Sequence, residues 1–302
     1  MNAPAKAPWL HDRERGSLGA MRFMKWLALH FGRRFARLIL YPICGYFLVF
    51  SPGARKLSRE YLSSALRRPV RLCDLWRHYF YFAATTLDRV YFLDGQFDRF
   101  DIEIEGVDRL RSILAGGRGC ILIGAHLGSF ELLRSLAADR DVRVCAVMYE
   151  DNSAKIADTL GSLNPEVVSR TVAPGGIDTM LRISERLAQG EIVAMLGDRW
   201  AGSDKTVTCR FFGRAAAFPR GPLVLAQSLR VPAMLFFGLY HGGARYSIRF
   251  EPFCDEYPGE RSTREAWIRE TAQRYAERLE HYCRLAPYNW FNFHDFWSGS
   301  HN

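Results

Sequence analysis

The 302-residue chain is 48% hydrophobic, enough for a substantial core, so global disorder is excluded. Its formal charge of +9 is almost all arginine, with lysine only at Lys6, Lys25, Lys56, Lys155 and Lys205. That balance suits an anionic membrane surface or an acidic substrate; no nucleic-acid motif accompanies it, and nucleic acid is not expected as a partner.

Seven scattered cysteines without a Cys-x-x-Cys pair argue against a disulfide framework or a zinc site. The first residues lack the basic, apolar, small-residue order of a cleavable signal, so the expectation is a cytoplasmic chain. From Met21, the residues Met24, Leu27, Phe31, Phe35 and Leu38 make a helical apolar stripe. Arg22, Lys25, Arg33 and Arg37 fall mostly on its other side. Such a basic amphipathic helix suits a membrane interface and equally suits packing on a neighbouring domain. The apolar run Leu38 to Phe50 is too short to span a bilayer, and Arg33, Arg34 and Arg37 are placed to meet headgroups. Two more helices are predicted over Lys56 to Leu66 and Leu72 to Leu93, the second apolar or aromatic on most sides.

From Arg99 the pattern changes. A strand with one polar face is predicted within Arg99 to Asp108. Apolar runs at Cys120–Ile123, Val142–Met148 and Ile192–Leu196 then alternate with helical patterns at Glu131–Ala138, Ser153–Leu163 and Ile177–Gln189. This rhythm predicts an α/β fold with a mainly parallel sheet flanked by helices. A hairpin is expected from Pro232 to Phe250 through Gly242-Gly243, and an amphipathic helix from Arg264 to Arg284, its stripe running Ile268, Ala272, Tyr275, Leu279 and Tyr282. The division expected is a helical region over 1–98 and an α/β domain over 99–302. The aromatic tail from Pro287 to Trp297 is expected to dock on the core or at a membrane edge.

The chemistry concentrates between Gly119 and Leu133. A histidine leaving a buried strand lies at the carboxyl edge of the sheet, where open α/β folds place ligands. Ser129 stands as a possible N-cap, and Glu131, in the first helical turn, is within reach of His126. A neutral imidazole oriented by a carboxylate can take a proton from a hydroxyl. The same spacing also describes a loop histidine with an acid merely favourable at a helix N-terminus. Asp198 and Arg199 leave the run Ile192–Leu196 at the same sheet edge, either as functional groups or as an ordinary ion pair. No Gly-x-Ser-x-Gly elbow is present, which argues against a serine acyl-enzyme.

The segment His126-Leu-Gly-Ser-Phe-Glu131 resembles the His-x4-Asp/Glu motif of the glycerolipid acyltransferase superfamily, specifically its bacterial lipid A late acyltransferase branch. Leu196-Gly-Asp-Arg-Trp200 resembles a second motif of that branch. Phe211-Phe-Gly-Arg-Ala-Ala-Ala-Phe-Pro-Arg-Gly-Pro222, followed by Leu225-Ala226 and Val231-Pro232, resembles a third. The N-terminal pattern and aromatic tail are similar to stand-alone acyltransferases of aryl polyene and related lipid pathways. The resemblance implies a membrane-associated acyltransferase with His126 as general base and Glu131 as its partner. It implies substrate contacts from Asp198, Arg199, Arg210, Phe212, Gly213, Arg214 and Pro219, and no metal or cofactor beyond an acyl thioester. The expected partners are acyl carrier protein or acyl-CoA, a lipid acceptor and an anionic membrane, at the cytoplasmic face of the inner membrane, peripheral or monotopic. Transfer to an amine, or a non-catalytic membrane-bound partner of a lipid-pathway complex, are the alternatives. The acceptor stays open between lipid A, an aryl polyene headgroup lipid and another glycolipid.

Overall fold

The computed structural model describes residues 18–133, 142–147, 170–173, 176–200 and 205–297. Three helices come first: α1 (Leu18–Phe50), α2 (Pro52–Leu66) and α3 (Leu72–Leu93). The break in α1 is at Gly32, whose φ of 79° lies in the left-handed region that glycine alone enters without steric penalty. The start of α3 is fixed by Asp74, which accepts from the Arg71 backbone N–H at 2.8 Å and pairs with both ends of the Arg68 guanidinium.

The described sheet has seven strands in the order β1-β9-β8-β2-β5-β3-β4. These are β1 (Asp101–Glu105), β2 (Cys120–Gly124), β3 (Val144–Val147), β4 (Thr171–Val172), β5 (Ile192–Leu196), β8 (Ala233–Gly242) and β9 (Arg245–Cys254). Every pairing is parallel except β8 with β9, the hairpin the two glycines predict. The chain is therefore α/β with a mostly parallel sheet, as expected. Helices α4 (Val107–Ala115), α5 (Gly176–Ala188), α6 (Gly221–Leu229) and α7 (Arg261–Leu285) accompany it. The stripe of α7 is buried throughout, Ile268 and Leu279 completely. The predicted helix over Ser153–Leu163 lies outside the described residues. Of the helix expected over Glu131–Ala138, the described part is a 3-10 turn at Phe130–Leu132, and Ser129 makes no capping hydrogen bond.

A second, two-stranded sheet was not anticipated: β6 (Thr206–Phe211) and β7 (Arg214–Pro219) form an antiparallel hairpin. In β6, Val207, Cys209 and Phe211 point inward and Thr206, Thr208 and Arg210 outward, the alternation of a half-buried strand. Its two-residue turn, Phe212-Gly213, has φ of 52° and 76°, the pattern of a type I′ turn.

The N-terminal arginines differ from expectation. Arg33 turns inward and grips both oxygens of the fully buried Asp88 at 2.7 Å, and Tyr246 donates to the same carboxylate. Arg37 lies over the rings of Phe80 and Tyr240. Only Arg34 of the three is exposed. The reason is the surface they pack on, where Asp88 and Phe80 of α3 and Tyr240 of β8 give these guanidinium groups an ion pair and aromatic faces. The apolar residues of α1 divide accordingly. Leu27, Ala36, Leu40, Cys44 and Leu48 face the protein, while Phe31, Phe35, Leu38, Val49 and Phe50 stay exposed. Among the described residues no single helix is long and apolar enough to cross a bilayer.

Candidate active site

The register of the two central strands builds the site. β2 and β5 pair in parallel with Gly124 opposite Leu196, and the Gly197 N–H donates to the Gly124 carbonyl at 2.9 Å. Two residues past each strand end, His126 and Asp198 therefore meet at the carboxyl edge. The Asp198 carboxylate accepts from the His126 backbone N–H at 3.0 Å and contacts imidazole Nδ1 at 2.9 Å. An ionised carboxylate can only accept, so Nδ1 carries the proton and Nε2 holds a free lone pair. Asp198 also accepts from Trp290 Nε1 at 3.0 Å.

Burial pushes the carboxylate upward, but His126, Arg199 and the indole N–H outweigh it and hold Asp198 below the usual carboxylate range. Burial and the neighbouring Arg199 push His126 below the ordinary imidazole value of 6.5, Asp198 opposes them, and Arg89 adds a smaller downward push. The imidazole is consequently neutral at pH 7, with its side chain 30% exposed. A neutral base with a fixed tautomer and an open nitrogen is what proton abstraction from a hydroxyl requires.

The expected partner of His126 is corrected here. Glu131 pairs with Arg89 at 2.5 Å and makes no hydrogen bond to the imidazole among the described residues. The tight turn after Gly128 sends Glu131 towards α3, whereas parallel pairing delivers Asp198 directly to Nδ1. Arg199 adjoins the cluster, its charge felt by both His126 and Asp198, while its Nη2 donates to the Phe291 carbonyl at 2.7 Å.

The remaining expected contacts belong to the β6–β7 hairpin, which α7 and α2 clasp. The Arg210 backbone N–H donates to the Gln273 side-chain oxygen, and the Gln273 amide donates back to the Arg210 carbonyl. Phe212 meets Tyr61 and lies under Arg284, and its backbone N–H donates to Glu280. Gly213 supplies the turn, Arg214 pairs with Glu60 and lies over Trp297, and Pro219 is buried in register with Thr206. Among the described residues none of these contacts is made with a member of the His126 cluster. They reach it through Phe211, which packs on Trp290.

The aromatic tail docks directly against the site. Leu127 pairs with Trp290 in an antiparallel bridge, Phe291 N–H donates to the His126 carbonyl, and Gly128 N–H donates to Asn289. The Asn289 amide in turn spans the backbone N–H and carbonyl of Tyr240. Buried His78 donates through Nε2 to the Trp290 carbonyl and accepts at Nδ1 from Ser58. The glycines permit this packing: a Cβ on Gly128, already at φ 67°, would lie 1.8 Å from the Gly238 carbonyl. His294 is close enough for burial and the charge of Arg199 to push it down to about 3, and it also senses Asp198 and His126. Among the described residues no three His, Cys, Asp or Glu side chains converge on a metal position.

The sequence reasoning missed Arg89 and Trp290. For Arg89 a signal existed: an Asp88-Arg89 pair inside an otherwise aromatic helix. Nothing local distinguishes Trp290 from its aromatic neighbours.

An α/β fold with a carboxylate-held neutral histidine at the carboxyl edge of a parallel sheet puts a group able to accept a proton where open α/β folds bind their ligands. Residues 80–298 match the family model of bacterial lipid A biosynthesis acyltransferases. The chain belongs to that family: it is an acyltransferase acting on a lipid acceptor. A search of curated proteins gives no match.

Proposed function

We propose that the protein moves a fatty acyl group from an acyl thioester, with acyl carrier protein as the favoured donor, to a hydroxyl of a lipid or glycolipid. His126 is the base and Asp198 its orienting partner. The observation that carries this is the 2.9 Å contact between Nδ1 and a wholly buried carboxylate, which leaves Nε2 free as an acceptor. The acceptor hydroxyl gives its proton to Nε2 as its oxygen bonds to the thioester carbonyl carbon. The adduct collapses, breaks the carbon–sulfur bond, and the departing thiolate takes the proton from the imidazolium. Asp198 stabilises that transient cation. Arg199, at the same edge, supplies positive charge for the oxyanion or for a substrate phosphate.

The site works at the cytoplasmic face of the inner membrane. Supporting this, Phe31, Phe35 and Leu38 on α1 are exposed, together with Tyr46, Val49 and Phe50 further along the helix. Contiguous exposed apolar side chains of this size suit insertion among lipid headgroups and acyl chains. The excess of arginine suits both anionic lipid and an acidic carrier. The test is incubation of purified protein and total lipid extract with matched acyl carrier protein and acyl-CoA thioesters, read by mass spectrometry. A new acylated lipid formed preferentially from the carrier is the expected product. Preference for the CoA thioester, or acylation of an amine, would refute that donor or acceptor assignment.

A further inference from the structure

Glu131 and Arg89 take no part in the proton transfer described above. Near its C-terminal end, the largely aromatic helix α3 carries two adjacent charges. Asp88 turns inward to Arg33 and Tyr246. Arg89 instead reaches the turn after β2, where Nη2 meets Glu131 at 2.5 Å. Glu131 is buried, whereas the Arg89 side chain is 33% exposed. Arg89 Nε is nevertheless buried and has no acceptor among the described residues. A buried N–H of this kind is unfavourable unless something occupying the site accepts from it. The charged groups around His126 are Asp198, Arg199 and Arg89, with His294 on the tail. Glu131 thus fixes one end of the guanidinium, and Nε is left without an acceptor among the described residues.

We propose that the motif glutamate serves the site through Arg89: Glu131 is a positioning residue that holds the guanidinium to receive the negative charge developing on the thioester carbonyl oxygen. This rests on the acyl-transfer reading above. As the acceptor oxygen bonds to the carbonyl carbon, the π electrons of the C=O bond move onto its oxygen, and the unpaired Nε–H of Arg89 meets that charge. When the adduct collapses, the electrons return to re-form C=O and the thiolate leaves with the proton held by His126. Arg89 exchanges neither proton nor electron, since a guanidinium stays charged throughout the working pH range.

The experiment compares the wild type, Arg89→Met, Glu131→Gln and the double variant, using the acyl carrier protein thioester and the lipid acceptor. Arg89→Met lowers kcat by about 10²- to 10³-fold with little change in either KM, the effect of losing one oxyanion donor. Glu131→Gln lowers kcat less, and in the Arg89→Met background it has no further effect. The double variant leaves no unpaired buried charge, so it separates loss of chemistry from loss of fold, which circular dichroism follows. Reaction of His126 with diethyl pyrocarbonate across pH gives a readout independent of turnover. Loss of the Arg89 charge raises the imidazole pKa, since a neighbouring cation is removed. Additive losses of kcat would assign Glu131 to a partner other than Arg89 and overturn the proposal. An Arg89→Met variant altered only in KM for the donor or the acceptor would do the same, since Arg89 would then bind a ground-state anion. Wild-type protein without transferase activity would sink the underlying reading and the proposal with it; a fully active Arg89→Met variant would sink the proposal alone.

Discussion

Replacing Asp198 with asparagine preserves its volume but removes its charge and half of its accepting capacity. Three donors converge on this wholly buried group: His126 Nδ1, the His126 backbone N–H and Trp290 Nε1, all between 2.9 and 3.0 Å. An amide has one oxygen, so its NH2 must take the place of Oδ1, which faces Nδ1, or of Oδ2, which accepts from the other two. If it faces Nδ1, it donates there, moves the imidazole proton to Nε2 and abolishes the base. If it takes the place of Oδ2, the His126 backbone N–H and Trp290 Nε1, which share that oxygen, both lose their acceptor, at about 1–3 kcal/mol of stability each. Both routes also remove the charge that stabilises the imidazolium. Asp198→Asn is therefore expected to lower kcat by about 10²- to 10⁴-fold, the contribution of a positioned general base. KM should move little. The assay is steady-state transfer with variable donor and acceptor, beside a urea denaturation curve to show that the folded state persists. An Asp198→Asn enzyme with wild-type kcat and an unchanged pH profile would refute the assignment of Asp198 as the histidine's partner.

The pH profile carries its own prediction. Activity needs neutral His126, and burial beside Arg199 moves its protonation below 6.5, so the acid limb of kcat/KM should fall below that value and the rate stay level through neutrality. An acid limb at or above 6.5 would contradict it. Arg33→Met leaves Asp88 charged and buried without its ion-pair partner and should destabilise the fold by about 3–5 kcal/mol, measured by urea denaturation. Replacing Phe31, Phe35 and Leu38 together with serine should weaken binding to anionic vesicles, since each buried apolar side chain of this kind contributes about 1.5–3 kcal/mol. Vesicle sedimentation with the binding unchanged would remove this face of α1 from the membrane contact.

Much of the scaffold was legible because its signals are local. Apolar runs bounded by glycine marked β2 and β5, and the stripe Ile268 to Tyr282 marked α7, its residues all buried. The β6–β7 hairpin escaped because its turn sets Phe212 at a positive φ, where an aromatic residue gives no turn signal and only Gly213 does. The site was half legible. His126 announced itself by position, but its partner lies 72 residues away and is chosen by the parallel register of β2 and β5 rather than by spacing along the chain. Glu131, the nearer acid, was the natural choice in one dimension and is claimed by Arg89 in three. Arg33 illustrates the same limit, because the helical stripe alone does not reveal Asp88 waiting on α3.

The measurement that bears most directly on the central claim is single-turnover acyl transfer by wild type and His126→Ala at saturating donor and acceptor. The predicted result is a transfer rate lower by about 10²- to 10⁴-fold in a variant that folds normally and still binds both substrates. A His126→Ala protein that transfers at the wild-type rate would show that the proton leaves by another route.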